Sequence, residues 1–430
     1  MKERYEVRHF IPRERIEIEV PGSKSITNRA LMLAALSNGT CRLTGVLFSD
    51  DSRAFLSCLT GLGFEVEVEE ELKTVTIQGL GGVIPNRNAK INVRSAGTAA
   101  RFLTAMLALA GGDYLLQSSE QMKKRPMEPL ITMLRGIGVC VNCLEEEGHF
   151  PFEIHSGGIA VEEITMDTSI SSQFVSALLM SGIMLPRGLR LRLSGSRIEG
   201  AYIKLTLSLM RQFGIEVLKE GEVCYVPHNL SYQVPLYNIE PDVSGACYFY
   251  AMAPLLGISA LVKGVHLDSM QGDIKFLEML KQLDCRVEDT EEGVCVTGRK
   301  DRVFPGIRVD MNDFSDQTMT LAAIAPFAAS PTIIENISHI RLQESDRIGA
   351  IRKELTRLGI RCEERGEYQG ICIYPGKATP GIVETYEDHR MAMAFTLTGL
   401  RAEGVVIDNP SCCGKTFENY FAIIDTLTAE

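Results

Sequence analysis

The sequence lacks several features that would place it in other classes of protein. The apolar run at residues 321–329 is too short to span a membrane and contains Pro326. The first six residues include no apolar stretch of the kind that forms a signal peptide, so we expect a cytoplasmic protein without membrane attachment. An excess of positive charge is also missing, because the formal net charge is −11, and this argues against broad nucleic-acid binding.

Metal-binding motifs are scarce as well. The 7 histidines show no H-E-x-x-H spacing, and 12 cysteines scattered through a chain of this length are typical of reduced, mostly buried thiols. Cys140 and Cys143 match C-x-x-C, but they lie in a strand-like segment, where residues three apart point to opposite faces. No second cysteine pair completes a zinc site, so we expect no metal centre.

What the sequence does contain is a repeat. A helix-like run, a turn residue and an alternating, strand-like run occur five times, with 70 to 76 residues between the turn residues Gly63, Gly138, Gly214, Asp284 and Gly359. Glycine after a helix supplies the left-handed residue that ends it, and the alternating run predicts a strand. A sixth helix, predicted over residues 417–427, ends the chain without its strand. We expect residues 15–20 to fill that gap and bring the termini together.

A second type of helix repeats with the same period and opens each time with small or polar residues. The predicted starts lie 71 to 74 residues apart, at Ser25, Thr98, Ser172, Gly245, Asp316 and His389. Two helix types, each present six times, predict an α/β protein of six units, three in each of two domains. We place the domains at residues 22–240 and at residues 1–21 plus 241–430, with a double hinge and a ligand cleft between them.

The predicted helix starts gather positive charge despite the acidic total. A helix start carries unpaired N–H groups and a partial positive charge, so nearby cations make it a site for anions. The cations at these starts are Lys24, Arg29, Arg101, Lys123, Lys124, Arg125, Arg347, Arg390 and Lys415. Taken singly, each polar residue is explained as a helix cap or a surface ion pair. Their repeated location favours a ligand with several negative charges, and Asp316 and Glu344 are the candidate acid–base groups.

These motifs, in this order, resemble the 5-enolpyruvylshikimate-3-phosphate (EPSP) synthase family of the enolpyruvyl transferase superfamily. The resemblance covers essentially the whole chain. It rests on Pro21-Gly22-Ser23-Lys24-Ser25, Ala96-Gly97-Thr98 with Arg101, Arg125-Pro126-Met127, Ser171-Ser172-Gln173, Glu344-Ser345-Asp346-Arg347, Asp388-His389-Arg390-Met391-Ala392-Met393 and Lys415-Thr416-Phe417.

The resemblance implies a two-domain, inside-out α/β barrel (the enolpyruvyl transferase fold) built from six βαβαββ units, three per domain, with the helices inside. It also implies transfer of the enolpyruvyl group of phosphoenolpyruvate to the 5-hydroxyl of 3-phosphoshikimate, with release of phosphate. This reaction belongs to the shikimate route to chorismate and the aromatic amino acids and uses no cofactor. We expect the two substrates as the only partners, and a monomer.

The resemblance also assigns individual residues. Phosphoenolpyruvate is expected to contact Lys24, Gly97, Arg125, Gln173, Arg347, Arg390 and Lys415. 3-Phosphoshikimate is expected to contact Lys24, Ser25, Arg29, Ser171, Ser172, Gln173, Tyr202, Asp316 and Gln343. In the implied chemistry, Asp316 takes the proton from the acceptor hydroxyl, and Glu344, with Lys24, handles the proton at the methylene carbon.

Four positions depart from the family's usual pattern, and three of them belong to the acceptor side. Gln343 stands in place of lysine, Glu199 in place of a serine, His339 in place of an asparagine, and Ser95 in place of an asparagine before Ala-Gly-Thr. An enolpyruvyl transferase with a different anionic cyclic acceptor is therefore an alternative interpretation, and a catalytically idle anion-binding homologue is another. The related transferase acting on a UDP-amino sugar is disfavoured, since Glu120 occupies the position of its reactive cysteine.

Overall fold

The computed structural model describes residues 3–168, 171–195 and 198–428. By its internal contacts the chain divides into two compact units. We call Gly22–Ile239 the N-terminal unit, and the residues before Gly22 together with those after Ile239 the C-terminal unit. Among the described residues, no helix combines the length and the apolar character that crossing a bilayer requires.

Short strands and helices are interspersed through the described residues. The strands are β1 Arg4–Glu6, β2 Arg15–Ile18, β3 Asn38–Thr44, β4 Val66–Glu69, β5 Thr74–Leu80, β6 Asn88–Asn92, β7 Gly112–Gln117, β8 Cys140–Cys143, β9 Phe152–Ser156, β10 Glu163–Asp167, β11 Leu189–Ser194, β12 Leu218–Glu220, β13 Val223–Val226, β14 Leu236–Asn238, β15 Ser259–Lys263, β16 Arg286–Thr290, β17 Gly293–Thr297, β18 Arg308–Asp310, β19 Thr332–Glu335, β20 Cys362–Arg365, β21 Gly370–Ile373, β22 Gly381–Val383 and β23 Val405–Asp408.

The α-helices are α1 Lys24–Leu36, α2 Asp50–Gly61, α3 Gly97–Ala110, α4 Glu120–Lys123, α5 Glu128–Gly136, α6 Ser172–Ser181, α7 Ala201–Gln212, α8 Val243–Tyr250, α9 Met252–Leu256, α10 Lys275–Gln282, α11 Thr318–Ile324, α12 Arg347–Arg357, α13 His389–Arg401 and α14 Tyr420–Thr428. Short 3-10 segments precede several of them, notably Gly272–Ile274 before α10 and Asn312–Gln317 before α11.

In the described part of the chain, the strands form six small sheets with one recurring topology. In the N-terminal unit the sheet orders are β14-β3-β5-β4, β6-β7-β9-β8 and β10-β11-β13-β12. In the C-terminal unit they are β2-β15-β17-β16, β18-β19-β21-β20 and β22-β23-β1. Each sheet begins with a parallel pair, and its next strand is antiparallel. The prediction of six repeated α/β units is confirmed.

The helices that begin at the predicted repeat positions form the interior of each unit. All residues of helix α3 except the last, Ala110, are buried. The helix contacts both α1 and α6. A helix that is apolar all round belongs inside a core, so the sheets lie outside these helices. The arrangement brings the polar helix starts to the edge of an apolar interior.

The turn residues that follow the first type of repeated helix adopt the left-handed conformation that the repeat predicts. Positive φ angles of 87°, 94°, 89°, 60° and 78° occur at Gly63, Gly138, Gly214, Asp284 and Gly359. The left-handed conformation is costly for most residues, and aspartate is among the few that tolerate it. This explains how Asp284 replaces glycine in the fourth copy.

One strand prediction is wrong. Residues 15–20 do not complete the sixth sheet, because β2 pairs in parallel with β15 in the fourth sheet, where Ile16 and Ile18 are buried. The strand that pairs with β23 is β1, and it is antiparallel. Tyr5 of β1 packs its ring on Phe421, with 4.4 Å between centroids, and donates a hydrogen bond to Asp425. A strand as short as Arg4–Glu6 carries too little alternation to be found from sequence.

Candidate active site

Three helix starts of the C-terminal unit converge on a cluster of two carboxylates and two guanidinium groups. Asp388 caps α13 by accepting the backbone N–H of Arg390 at 3.0 Å. Arg347 opens α12 and donates from Nε to Asp388 Oδ2 at 2.8 Å and from Nη1 to Asp316 Oδ1 at 2.8 Å. Arg390 donates from Nη2 to Asp316 Oδ2 at 2.9 Å. The structure thus brings three predicted site residues, Asp316, Arg347 and Arg390, into direct contact.

The two carboxylates in this cluster occupy different environments. The side chains of Asp388 and Arg347 are 0% and 3% exposed, whereas those of Asp316 and Arg390 are 16% and 12% exposed. Asp388 therefore forms the buried base of the cluster. Asp316 lies on the accessible side, where a carboxylate can exchange a proton with a ligand.

Charge attraction outweighs burial at this base. Burial alone would lower the pKa of Arg347, but the negative charges of Asp388 and Asp316 raise it above its usual range. Burial alone would raise the pKa of Asp388, but the Arg347 charge holds it below that of an ordinary aspartate. Both groups are therefore ionised at neutral pH, and each stabilises the other.

Glu344 lies beside this cluster and has two basic neighbours. Its Oε2 is 3.0 Å from Nδ1 of His389 and 3.6 Å from Nζ of Lys415, and its side chain is 11% exposed. Ser345, the next residue, donates a hydrogen bond to Asp388. A carboxylate between an imidazole and an ammonium group is equipped to receive and return a proton.

The same carboxylates could be considered as metal ligands. One ligand atom from each of Glu344, Asp388 and His389 lies within 4.8 Å of the others. Arg347 already neutralises Asp388, however, and Lys415 approaches Glu344. Cations held by the protein reduce the attraction of such a group for a metal ion, so the arrangement favours acid–base chemistry.

Gln343 is located at the end of the 3-10 segment Ser338–Leu342 and is partly exposed. Its side chain has no hydrogen-bond partner in the described part of the chain. His339, earlier in that segment, has its Nε2 2.8 Å from Oγ of Ser315, one residue before Asp316. Two of the four unusual positions therefore lie on one segment, and His339 contacts the segment that carries Asp316.

In the N-terminal unit, the start of α1 carries an ion pair. Nζ of Lys24 is 2.7 Å from Oδ2 of Asp51 near the start of α2, and the two side chains are 20% and 5% exposed. The Asp51 carboxylate therefore orients the predicted shared residue, Lys24. The sequence analysis did not select Asp51 as a site residue.

Gly97, Arg101 and Arg125 form a compact cationic cluster at the start of α3. A Cβ atom added at Gly97 would lie 2.4 Å from Nη1 of Arg125 and 2.7 Å from Nη1 of Arg101. Nη1 of Arg101 donates to the Gly97 carbonyl at 3.0 Å. The Nε atoms of Arg101 and Arg125 are buried and have no hydrogen-bond partner among the described residues. Burial, and secondarily the Arg125 charge, lowers the pKa of Arg101 well below its usual value.

Arg29 donates hydrogen bonds to residues of the N-terminal unit. It donates to Oγ1 of Thr206 at 2.8 Å, to the Ser25 carbonyl at 2.9 Å and to Oγ of Ser176 at 3.2 Å. Its guanidinium carbon lies 5.8 Å from the ring centre of Tyr202. Burial lowers the pKa of Arg29 to about 10, so the charge is retained at neutral pH. This network ties Ser25 and Tyr202, two predicted acceptor residues, to one buried cation.

The remaining predicted residues cluster at the start of α6. Ser171 caps this helix by accepting the backbone N–H of Gln173 at 3.2 Å, and Ser172 begins it. The Oε1 atom of Gln173 is buried and has no hydrogen-bond partner in residues 3–168, 171–195 and 198–428. A buried, unpaired amide oxygen beside a helix start is a candidate acceptor for a ligand hydroxyl.

Sequence reasoning also missed His389 as a functional side chain, because it was considered only as a helix start. The signal that could have found it is its position beside Asp388 and Arg390. Its contact with Glu344, 45 residues away, is visible only in three dimensions.

The chain is similar to proteins of known description over most of its length. A family model described as EPSP synthase (3-phosphoshikimate 1-carboxyvinyltransferase) matches residues 13–424. A curated protein of Nostoc punctiforme named 3-phosphoshikimate 1-carboxyvinyltransferase is 42% identical over 405 residues, covering 94% of each chain. One of Halalkalibacterium halodurans, named 3-phosphoshikimate 1-carboxyvinyltransferase 2, is 37% identical and covers 95% of this chain and 91% of its own.

Solved structures match over the whole length. An EPSP synthase structure from Acinetobacter baumannii has a TM-score of 0.81 at 24% identity and covers 98% of this chain and 97% of its own. The enolpyruvyl transferase NikO from Streptomyces tendae has a TM-score of 0.76 at 16% identity, covering 100% and 98%. At these identities the likeness establishes the fold, and the predicted two-domain inside-out fold class is confirmed.

Proposed function

The chain belongs to the EPSP synthase (3-phosphoshikimate 1-carboxyvinyltransferase) family, and we propose that it catalyses that reaction. The enolpyruvyl group of phosphoenolpyruvate is transferred to the 5-hydroxyl of 3-phosphoshikimate, and phosphate is released. The observation that carries the proposal is Asp316, a partly accessible carboxylate that Arg347 and Arg390 hold just before the buried helix α11. Anion capture alone needs cations, whereas this site adds a proton acceptor among them.

The chemistry requires two proton transfers in opposite directions. The acceptor hydroxyl oxygen bonds to the central carbon of phosphoenolpyruvate, loses its proton, and a proton is added to the methylene carbon. The resulting adduct then loses that methyl proton and the phosphate, which restores the double bond. We assign the hydroxyl proton to Asp316 and the carbon-bound proton to Glu344 together with Lys24. His389 and Lys415 hold the Glu344 carboxylate in place.

The donor carries a carboxylate and a phosphate, so its site needs several cations. We propose that Arg125, Arg347, Arg390, Lys24 and Lys415 bind these groups. Guanidinium groups pair bidentately with such oxygens and stabilise the charge of the departing phosphate. The small size of Gly97 supports this assignment, since it leaves Arg125 room beside the helix start. Gln173 completes the donor set.

The acceptor carries hydroxyls, a carboxylate and a phosphate. We propose that its contacts are made by the residues of the α1, α6 and α7 starts together with two residues of the C-terminal unit: Lys24, Ser25, Arg29, Ser171, Ser172, Gln173, Tyr202, Asp316 and Gln343. The contacts of Arg29 with Ser25 and Thr206 support a role in ordering this set as well as supplying charge.

We propose that residues 22–240 form one functional domain and that residues 1–21 with 241–430 form the other, so that both contribute to the same two substrates. We also propose that the protein acts in the cytoplasm as a monomer, without nucleic acid or cofactor. Size-exclusion chromatography with light scattering checks the monomer, and a stable dimer would contradict it.

The direct test is phosphate release by the purified protein with phosphoenolpyruvate, in the presence and absence of 3-phosphoshikimate. We expect release only when both are present. Phosphoenolpyruvate binding without release would favour a different acceptor, in line with the neutral Gln343. Absence of binding to either compound would favour an idle homologue. Shikimate without its phosphate is the matched control for the acceptor.

A further inference from the structure

A buried carboxyl group lies behind the segment that carries Asp316. Asp273 belongs to the 3-10 segment Gly272–Ile274, is 6% exposed, and accepts hydrogen bonds at one oxygen from Oγ of Ser244 and from Nε2 of Gln317. The bond from Gln317 measures 2.7 Å. None of the roles assigned above uses this carboxyl group.

Gln317 links this carboxyl group to the catalytic segment. It directly follows Asp316, is fully buried, and accepts a hydrogen bond at Oε1 from Thr320 at 2.9 Å. Both ends of its amide are therefore held, one by Asp273 and the other by Thr320. With no freedom to rotate, this side chain fixes the backbone next to Asp316.

The segment needs such a restraint. Within Asn312–Gln317 the backbone leaves helical geometry at Phe314, where φ is −135° and ψ is 40°. A regular helix would orient Asp316 through its own hydrogen bonds, but this kinked segment does so only in part. The direction of the Asp316 carboxylate therefore depends on contacts made from outside the segment.

Burying a carboxyl group in a core also costs free energy. Burial raises the pKa of Asp273, and the nearby Asp316 charge raises it further, while the Arg390 charge opposes this. Apolar residues of similar size are often at least as stabilising as a buried polar group. A carboxyl group at such a position is therefore explained better by a role in orientation than by one in stability.

We propose that Asp273 and Gln317 are positioning residues that hold the Asp316 carboxylate against Arg347 and Arg390. The role depends on hydrogen bonds accepted by Asp273, and asparagine can accept the same bonds through its amide oxygen. This inference rests on the proposed function, in which Asp316 is the base. Neither residue needs to contact a substrate.

The kinetic test compares three variants and one control variant with the wild-type protein. Asp273→Ala and Gln317→Met are expected to lower kcat by about 10- to 100-fold, as small misplacements of a catalytic group do. The KM for phosphoenolpyruvate should change by less than about threefold, because ground-state binding is retained. Asp273→Asn should restore kcat to within about threefold of wild type, since the acceptor oxygen is kept.

The matched control is Asp313→Ala. Asp313 lies on the same segment as Asp316 and pairs with Lys275, which follows the segment that carries Asp273. This surface ion pair therefore connects the same region of the fold without contacting Gln317. Its removal should leave kcat unchanged. Normal kcat in folded Asp273→Ala or Gln317→Met protein would overturn the proposal, as would an equal loss in Asp273→Asn.

Crystal structures test the inference independently of turnover. In Asp273→Ala, the Asp316 carboxylate should move out of hydrogen-bond distance of Arg347 or Arg390, and in Asp273→Asn it should stay. An unmoved Asp316 in the alanine variant would overturn the proposal even if the wild type failed to release phosphate. Inactive wild-type protein would instead count against the proposed function alone.

Discussion

Two pairs of arginines in the molecule differ in whether carboxylates neutralise them. Arg347 and Arg390 of the C-terminal unit donate to Asp316 and Asp388. Arg101 and Arg125 of the N-terminal unit have no carboxylate partner in the described part of the chain, and each keeps a buried, unbonded Nε. On the proposed roles, the first pair combines charge with proton exchange, whereas the second supplies positive charge alone. The proposed difference is one between acid–base chemistry and anion binding.

The largest effect is expected when the carboxylate of Asp316, the proposed base, is removed. Asp316→Ala should lower kcat by about 10²- to 10⁴-fold, the range that a general base contributes. Steady-state phosphate release provides the measurement, and Asp313→Ala on the same segment is the control. A rate near that of the wild type would remove Asp316 from the mechanism.

The next largest effect should be on stability. Asp388→Ala leaves the buried Arg347 guanidinium without its main partner, so we expect the free energy of unfolding to fall by about 3–5 kcal/mol. Urea unfolding followed by circular dichroism measures this loss. Asp346→Ala is the matched control, because Asp346 also caps a helix, α12, but its side chain is exposed, and losing a cap costs about 1 kcal/mol. Equal losses in both variants would show that Asp388 is only a cap.

The unpaired arginines are tested by adding a single methyl group. Gly97→Ala places a Cβ 2.4 Å from Nη1 of Arg125, so the guanidinium must move. We expect the KM for phosphoenolpyruvate to rise by about 10- to 100-fold, equivalent to a lost charge-assisted contact, with a smaller change in kcat. Gly136→Ala, on a helix where a Cβ meets no atom within 4 Å, should behave as wild type. An unchanged KM would show that Arg125 does not bind the donor.

The smallest expected effect is a dependence of stability on pH. The folded pKa of Asp388 is below its unfolded value, so its contribution is complete above the unfolded pKa of about 3.9 and is lost as pH falls through the lower folded value. The difference in unfolding free energy between wild type and Asp388→Asn should therefore be constant from about pH 6 to 8 and narrow below about pH 4. A difference that grows in acid would contradict the ion pair.

The positions of both arginine pairs could be predicted from sequence, because the repeat places helix starts at regular intervals. Their different partners could not. Asp316 and Arg390 are 74 residues apart, and a periodic pattern gives no information on which side chains of separate helices meet. The N-terminal strands show the same limit, since alternation in residues 15–20 predicted a strand but not the sheet that it joins.

The central claim is that both types of cluster serve one transfer reaction. Phosphorus NMR of the purified protein with equimolar phosphoenolpyruvate and 3-phosphoshikimate tests it most directly. We expect the phosphoenolpyruvate signal to be replaced by inorganic phosphate, in step with conversion of the 3-phosphoshikimate signal to a new phosphate ester. Unchanged signals of both substrates, or loss of phosphoenolpyruvate without a new ester, would contradict the account.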